Sequence, residues 1–148
     1  MILKPGVYGY NDLEVGDCLV TGWRHITSEL IDAFADVSGD RYEIHIDTDA
    51  ARAKGFARRV AHGLLVLSVI DGLKNNAPAR FDALASMGWD WRFKAPVLEN
   101  DRVTARFTIM SKRRTSGGKR GLVTCEAAPF NQRDEVVQAG QNTLIFDV

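Results

Sequence analysis

Apolar residues along this chain recur with two different periods, and the switches between them set the expected order of elements. Between residues 27 and 38, Leu30, Ile31, Phe34 and Val37 fall at helical spacing while Asp32 and Asp36 face away. Thr27 is placed to cap this helix, Glu29 sits in the first turn where the helix dipole favours an anion, and Ser38-Gly39-Asp40 breaks it. Upstream, 12–16 reads as a turn into a strand over 17–24. Downstream, 40–47 carries little regular pattern. Asp47-Thr48-Asp49 then caps a short helix over 50–54 that ends at Gly55, and 56–61 is a basic loop.

The most distinctive stretch opens at His62-Gly63. Leu64, Leu65, Val66, Leu67, Val69, Ile70 and Leu73 predict a helix apolar on nearly every side, hence one buried all round. Strands near 87–93, 101–111, 121–130 and 135–146 supply the wrapper. Turns at Glu99-Asn100-Asp101, Ser116-Gly117-Gly118 and Asn131-Gln132-Arg133-Asp134 separate the last four segments. This order implies an α+β fold, a long antiparallel sheet curled around one central helix, with residues 1–148 as a single domain. Trp89 and Trp91 alternate with Asp90 and so share a sheet face, expected to be the core face.

Composition narrows the function classes. A chain of 148 residues, 45% apolar, suffices for one core, and no repeat or composition shift suggests a second. Nineteen basic and nineteen acidic residues balance, which excludes nucleic-acid binding by bulk electrostatics but leaves room for a small anionic ligand. Cys18 and Cys125 show neither ligand spacing nor a disulfide framework, which predicts reduced thiols and a cytoplasmic protein. The first residues lack the apolar run of a signal peptide, and no run reaches the length of a membrane span, so a soluble protein is expected.

Asp40 and His45 are the first candidates for chemistry. On a helix their spacing would point them roughly 140° apart, and on a strand to opposite faces. They converge only across an irregular backbone, which Gly39 makes easier. A carboxylate beside an imidazole is a workable acid–base pair; the plainer reading is a helix-cap aspartate near a surface histidine. His62-Gly63 adds a second feature. The first N–H groups of a helix lack internal partners and attract anions, and Gly63 has no side chain to block a carbonyl from reaching them. If that carbonyl belongs to a thioester, the N–H stabilises the enolate oxygen formed during reaction at the α-carbon. The alternative is that Gly63 allows close helix–sheet packing and His62 caps the helix.

Lys112-Arg113-Arg114, with Lys119 and Arg120, forms the one dense basic cluster, readable as a solvated hairpin tip or as a grip on the phosphates of a large anionic cofactor. His25 is isolated and reads as structural. The three histidines have no metal-ligand spacing, so no metal is expected. No Gly-x-Ser-x-Gly elbow or phosphate-binding glycine loop is present.

Ser38-Gly39-Asp40-Arg41-Tyr42-Glu43-Ile44-His45-Ile46-Asp47, followed by Arg59-Val60-Ala61-His62-Gly63-Leu64-Leu65, resembles the MaoC-like, R-specific enoyl-CoA hydratase family. Phe93-Lys94-Ala95-Pro96-Val97 and Asn100-Asp101 resemble that family's strand and turn after the central helix, and the resemblance covers about 13–148. It implies the hot-dog fold and reversible hydration of a trans-2-enoyl-CoA to an (R)-3-hydroxyacyl-CoA, with no cofactor beyond the CoA of the substrate. It implies that Asp40 and His45 position and deprotonate water, that the Gly63 N–H binds the oxyanion, and that the chain forms a homodimer or higher oligomer with the acyl-CoA cleft near the interface. Where the family carries Asn-Pro, this chain has Tyr42-Glu43. The family Asn helps hold the water, so the change bears on rate and substrate range, with Tyr42 supplying a hydroxyl or filling part of the pocket. Rival readings are a hot-dog acyl-CoA thioesterase and a non-catalytic acyl-CoA-binding or partner-binding subunit; nucleic-acid binding through the basic cluster is a distant further one.

Overall fold

Caps and glycines set the helix ends in the computed structural model, which describes residues 1–148. In chain order the elements are β1 (Gly6–Tyr8), β2 (Cys18–Val20), β3 (Arg24–His25), α1 (Ser28–Ser38), α2 (Glu43–Ile46), α3 (Thr48–Ala53), α4 (Gly63–Asn75), β4 (Ala79–Phe81), β5 (Ala85–Phe93), β6 (Arg102–Thr104), β7 (Arg106–Arg114), β8 (Arg120–Ala127), β9 (Phe130–Asn131) and β10 (Gln138–Asp147). Thr27 Oγ accepts the Leu30 N–H at the start of α1, and Asp47 does the same for Asp49 and Ala50 at α3.

The main sheet runs β2-β7-β8-β10-β5, every pair antiparallel, and it is curved rather than closed. A smaller antiparallel sheet, β3-β6-β9, continues from it, while β1 and β4 pair in parallel. Val66 and Ile70 of α4 share one apolar core with Phe107, Ile109, Val123, Leu144 and Phe146 of the sheet. Fully burying such a side chain contributes roughly 1.5–3 kcal/mol. Trp89 and Trp91 pack half-buried against this core, with ring centroids 5.1 Å apart.

Several expectations need correction. The central helix is not buried all round: Leu65, Val66 and Ile70 are covered, whereas Leu64 is 61% exposed and Leu67, Val69 and Leu73 are only half-buried, because one curved sheet covers one side. Lys74, polar in the sequence, is buried instead. Its ammonium meets Asp71 at 2.7 Å and Asn142 Oδ1 at 3.0 Å and lies over the rings of Trp89 and Phe107. A buried charge survives when paired and hydrogen-bonded in this way. Val37 is exposed at the last turn of α1. The expected strands over 17–24 and 101–111 are each broken in two where Thr21 Oγ accepts the Ala105 N–H at 2.9 Å and interrupts the ladder. Both cysteines are free, and burial pushes the Cys125 thiol up to about 12. No helix is long and apolar enough to cross a membrane.

Asp101 anchors the turn that leads from the cavity wall at Val97 into β6. Its carboxylate is fully buried and accepts hydrogen bonds from Arg133, Arg58, Gln132 and the Leu98 N–H. Burial by itself raises its pKa, but the bonds from Arg133, Gln132 and Leu98 outweigh that and hold it below the usual carboxylate range. A depressed carboxyl stabilises the fold above its unfolded value, about 3.9, and loses that contribution as pH falls through the folded one. Asp101→Ala is therefore expected to cost about 2–3 kcal/mol in urea unfolding at pH 7. The gap from wild type should narrow below about pH 4; a gap that widens there would contradict the linkage.

Candidate active site

The five-residue spacing of Asp40 and His45 is resolved by an abrupt change of backbone. Gly39 ends α1 at φ 75°, where a β-carbon is disfavoured. The Asp40 N–H bonds Ser38 Oγ at 3.1 Å, and the Asp40 carboxylate accepts the Tyr42 N–H at 3.1 Å. This local turn feeds the single helical turn α2, which directs His45 inward until it is 8% exposed. Its Nδ1 lies 2.6 Å from the Val60 carbonyl oxygen. A carbonyl only accepts, so Nδ1 carries the hydrogen and Nε2 is left as a lone-pair base.

His62 and Gly63 open α4 beside this turn. The His62 side chain does not cap the helix, and the Gly63, Leu64 and Leu65 N–H groups have no acceptor within the chain. The free helix end is thus the donor set that the Gly63 reading requires. Gln138 of β10 holds it in place: its Nε2–H donates to the Gly63 carbonyl at 2.9 Å, and its Oε1 accepts the Trp91 indole N–H at 2.7 Å. A cavity of about 340 Å³ opens here, walled by His45, Gly63, Phe56, Phe93, Val97 and Gln138 among others. Gln138 carried no signal in the sequence, because its role depends on what lies across the fold, and Phe93 entered only as part of the family-like strand after the central helix.

One side-chain atom from each of Asp40, His45 and His62 lies within 4.8 Å of the others. Asp40 and His45 do not bond directly, and that separation lets one water bridge them with two ordinary hydrogen bonds. The trio does not suit a metal ion. An imidazole coordinates in its ring plane, and the two rings are stacked 3.9 Å apart at 24°. Tyr42 lies 6.1 Å from the His45 ring but is half exposed, and the Lys54 ammonium, which pairs with Glu43 at 3.1 Å, lies 5.9 Å from the centre of its ring.

The basic cluster is not brought to this site. Gln138 at the cavity and Asp147 beside Arg120 are the two ends of β10, about 30 Å apart at the usual strand rise. Lys112 donates to the Leu13 carbonyl and lies over Tyr10, and Arg114 covers the same ring. Arg113 lies on the same remote strand end, opposite Leu122. His25 meets Asn100 Oδ1 at 3.2 Å and takes no part. What remains is an imidazole and a free helix N–H lining one cavity, with the Asp40 carboxylate beside the imidazole; these are parts that can activate water against a polarised carbonyl compound.

Comparison with known proteins gives the family and the fold. The chain is 31% identical to a mitochondrial 3-hydroxyacyl-[acyl-carrier-protein] dehydratase from Arabidopsis thaliana over 135 residues, covering 90% of this chain and 78% of that one. It is 32% identical over 101 residues to the (R)-specific enoyl-CoA hydratase of Aeromonas caviae, covering 68% and 74%. The chain spans only 31% of the length of another curated relative, protein MaoC of Klebsiella aerogenes, so it corresponds to a part of that protein. A solved structure described as a monoamine oxidase regulatory protein, from Archaeoglobus fulgidus, superposes with a TM-score of 0.87 at 25% identity, covering 98% of each chain. The wrapped helix is a hot-dog fold. The model of the MaoC like domain matches residues 14–128, most of the chain. The chain belongs to the MaoC-like dehydratase family.

Proposed function

We propose that this protein reversibly adds water to a trans-2-enoyl-CoA to give an (R)-3-hydroxyacyl-CoA. The observation that carries the reading is the buried His45, whose Nδ1 is engaged by the Val60 carbonyl, with a ring nitrogen within 4.8 Å of an Asp40 carboxylate oxygen, lining one cavity with Gly63, whose N–H has no partner in the chain. The thioester carbonyl accepts from Gly63 N–H, which withdraws electrons from the double bond. Asp40 and His45 hold one water over C3. His45 Nε2 takes a proton as the hydroxide adds, and that proton returns to C2, so the elements of one water are consumed. The names of the Arabidopsis and Aeromonas relatives support a thioester substrate and this pair of reactions. Neither a metal nor a further cofactor is required.

A second copy fits the free edge of β5, which pairs only with β10 and carries exposed Met87 and Phe93, with Leu84 beside it. Covering that edge would also enclose the cavity that Phe93 lines.

Incubation with crotonyl-CoA is expected to deplete the enoyl thioester absorbance without releasing free thiol, unaffected by EDTA, while light scattering gives twice 16.4 kDa. Thiol release would identify a thioesterase instead. Saturable binding with neither product would identify a non-catalytic subunit.

A further inference from the structure

We propose that His62 is a positioning residue for this site: its ring N–H pins the Asp40 backbone while its face braces the His45 imidazole. The idea rests on the hydratase reading for its kinetic consequences, but its geometric core stands apart from it.

His62 is 2% exposed, although it occupies the N-cap position of α4, where a polar side chain ordinarily reaches the free N–H groups. It turns away from them. Nε2 lies 2.8 Å from the carbonyl oxygen of Asp40, twenty-two residues earlier, and a carbonyl requires that Nε2 carry the hydrogen. The ring stacks on His45 at 3.9 Å and meets the Phe34 ring at 4.9 Å. Nδ1 is buried with no partner at all.

That orphaned nitrogen decides the role. A proton on Nδ1 would create a buried donor without an acceptor, on a ring in face contact with a second imidazole. The titratable groups that face His62 are Asp40 on the turn and His45 on α2; Phe34 on α1 brings no charge. Burial first, and then His45, hold the His62 pKa below the ordinary histidine value, against an upward pull from the Asp40 carbonyl and carboxylate. His62 therefore stays neutral and relays no proton. It fixes two groups that would otherwise be loose: Asp40 is exposed on a turn, and α2 is a helix of four residues. A displacement of about 1 Å at reacting groups costs on the order of 10²-fold in rate.

Two substitutions separate the contributions. His62→Phe keeps the aromatic face but has no donor; His62→Gln carries an N–H that can reach the Asp40 carbonyl. Expected for His62→Phe is a kcat for crotonyl-CoA hydration lower by about 10–10²-fold, with KM within about two-fold and the acid limb of the pH profile in place. His62→Gln, which keeps a donor but not the ring face, should lose less than His62→Phe, and the loss it retains measures the share of the stacked face. Wild-type kcat in His62→Phe, equal losses in both variants, or disappearance of the acid limb would each overturn the proposal. Nitrogen-15 NMR of the unliganded wild-type protein gives a readout independent of turnover and of variant folding. Protonated Nε2 and bare Nδ1 are expected at neutral pH, and an Nδ1–H or doubly protonated His62 would also overturn it.

Discussion

Asp40→Asn and His45→Asn are each expected to lower kcat/KM for enoyl-CoA hydration by about 10²–10⁴-fold while leaving the protein folded. Both substitutions keep the local hydrogen bonds and remove the chemistry. Asparagine at 40 still offers an oxygen to the Tyr42 N–H, so the turn after Gly39 is retained, but the negative charge beside the water is gone. Asparagine at 45 can still donate toward the Val60 carbonyl, the bond that holds the ring, yet it has no lone-pair nitrogen to take a proton. His45→Ala is the poorer test, because it would leave the Val60 carbonyl without its donor at a cost of about 1–3 kcal/mol. On the proposed mechanism the two residues hold one water, so their losses should not multiply, and the double variant is expected near the worse single one. Ordinary activity in both single variants, measured on enzyme shown to be folded by thermal melting, would falsify the acid–base assignment.

How this site could be foreseen differs residue by residue. Asp40, His45 and Gly63 were visible as residue types in a particular order around a glycine break and the start of an apolar helix. Their convergence was not. It depends on α2, four residues long and too short to show any periodicity, and on a turn closed by the Asp40 side chain. Gln138 joins the site from a strand 75 residues beyond Gly63, a relation that no local pattern encodes. The basic cluster shows the opposite case, since its density was visible, its place at a hairpin tip was one of the two readings, and its distance from the cavity was not legible. The helix from 63 onward was recognised correctly as the central element, but its apolar excess overstated its burial. Leu64 and the neighbouring edge of β5 remain open in one chain, where the proposed second copy would lie. Lys74 shows the limit of reading polarity as exposure, because Asp71 and Asn142 satisfy it inside the core.

Gly63→Ala is expected to reduce kcat by about 10²–10³-fold, the usual effect of losing an oxyanion contact. The N–H itself survives this substitution, so the argument is steric. A β-carbon built at Gly63 would lie 2.3 Å from Phe93 Cε2 and within 2.6 Å of two further ring atoms, closer than real carbons approach. Phe93 is 58% exposed and its ring can swing away, so the fold should stand. The cavity wall would nevertheless be rebuilt: the space of the methyl group is held by the Phe93 ring, so Gly63 also allows close helix–sheet packing, and on the proposed mechanism the methyl group would stand in the approach of the thioester carbonyl to the helix end. Phe93→Ala, alone and combined with Gly63→Ala, separates the two effects. If the methyl group blocks the carbonyl, removing the ring relieves the clash without restoring turnover. If the combined variant instead recovers the activity of Phe93→Ala, the loss came from the displaced ring, and the oxyanion role of the Gly63 N–H would have to be abandoned.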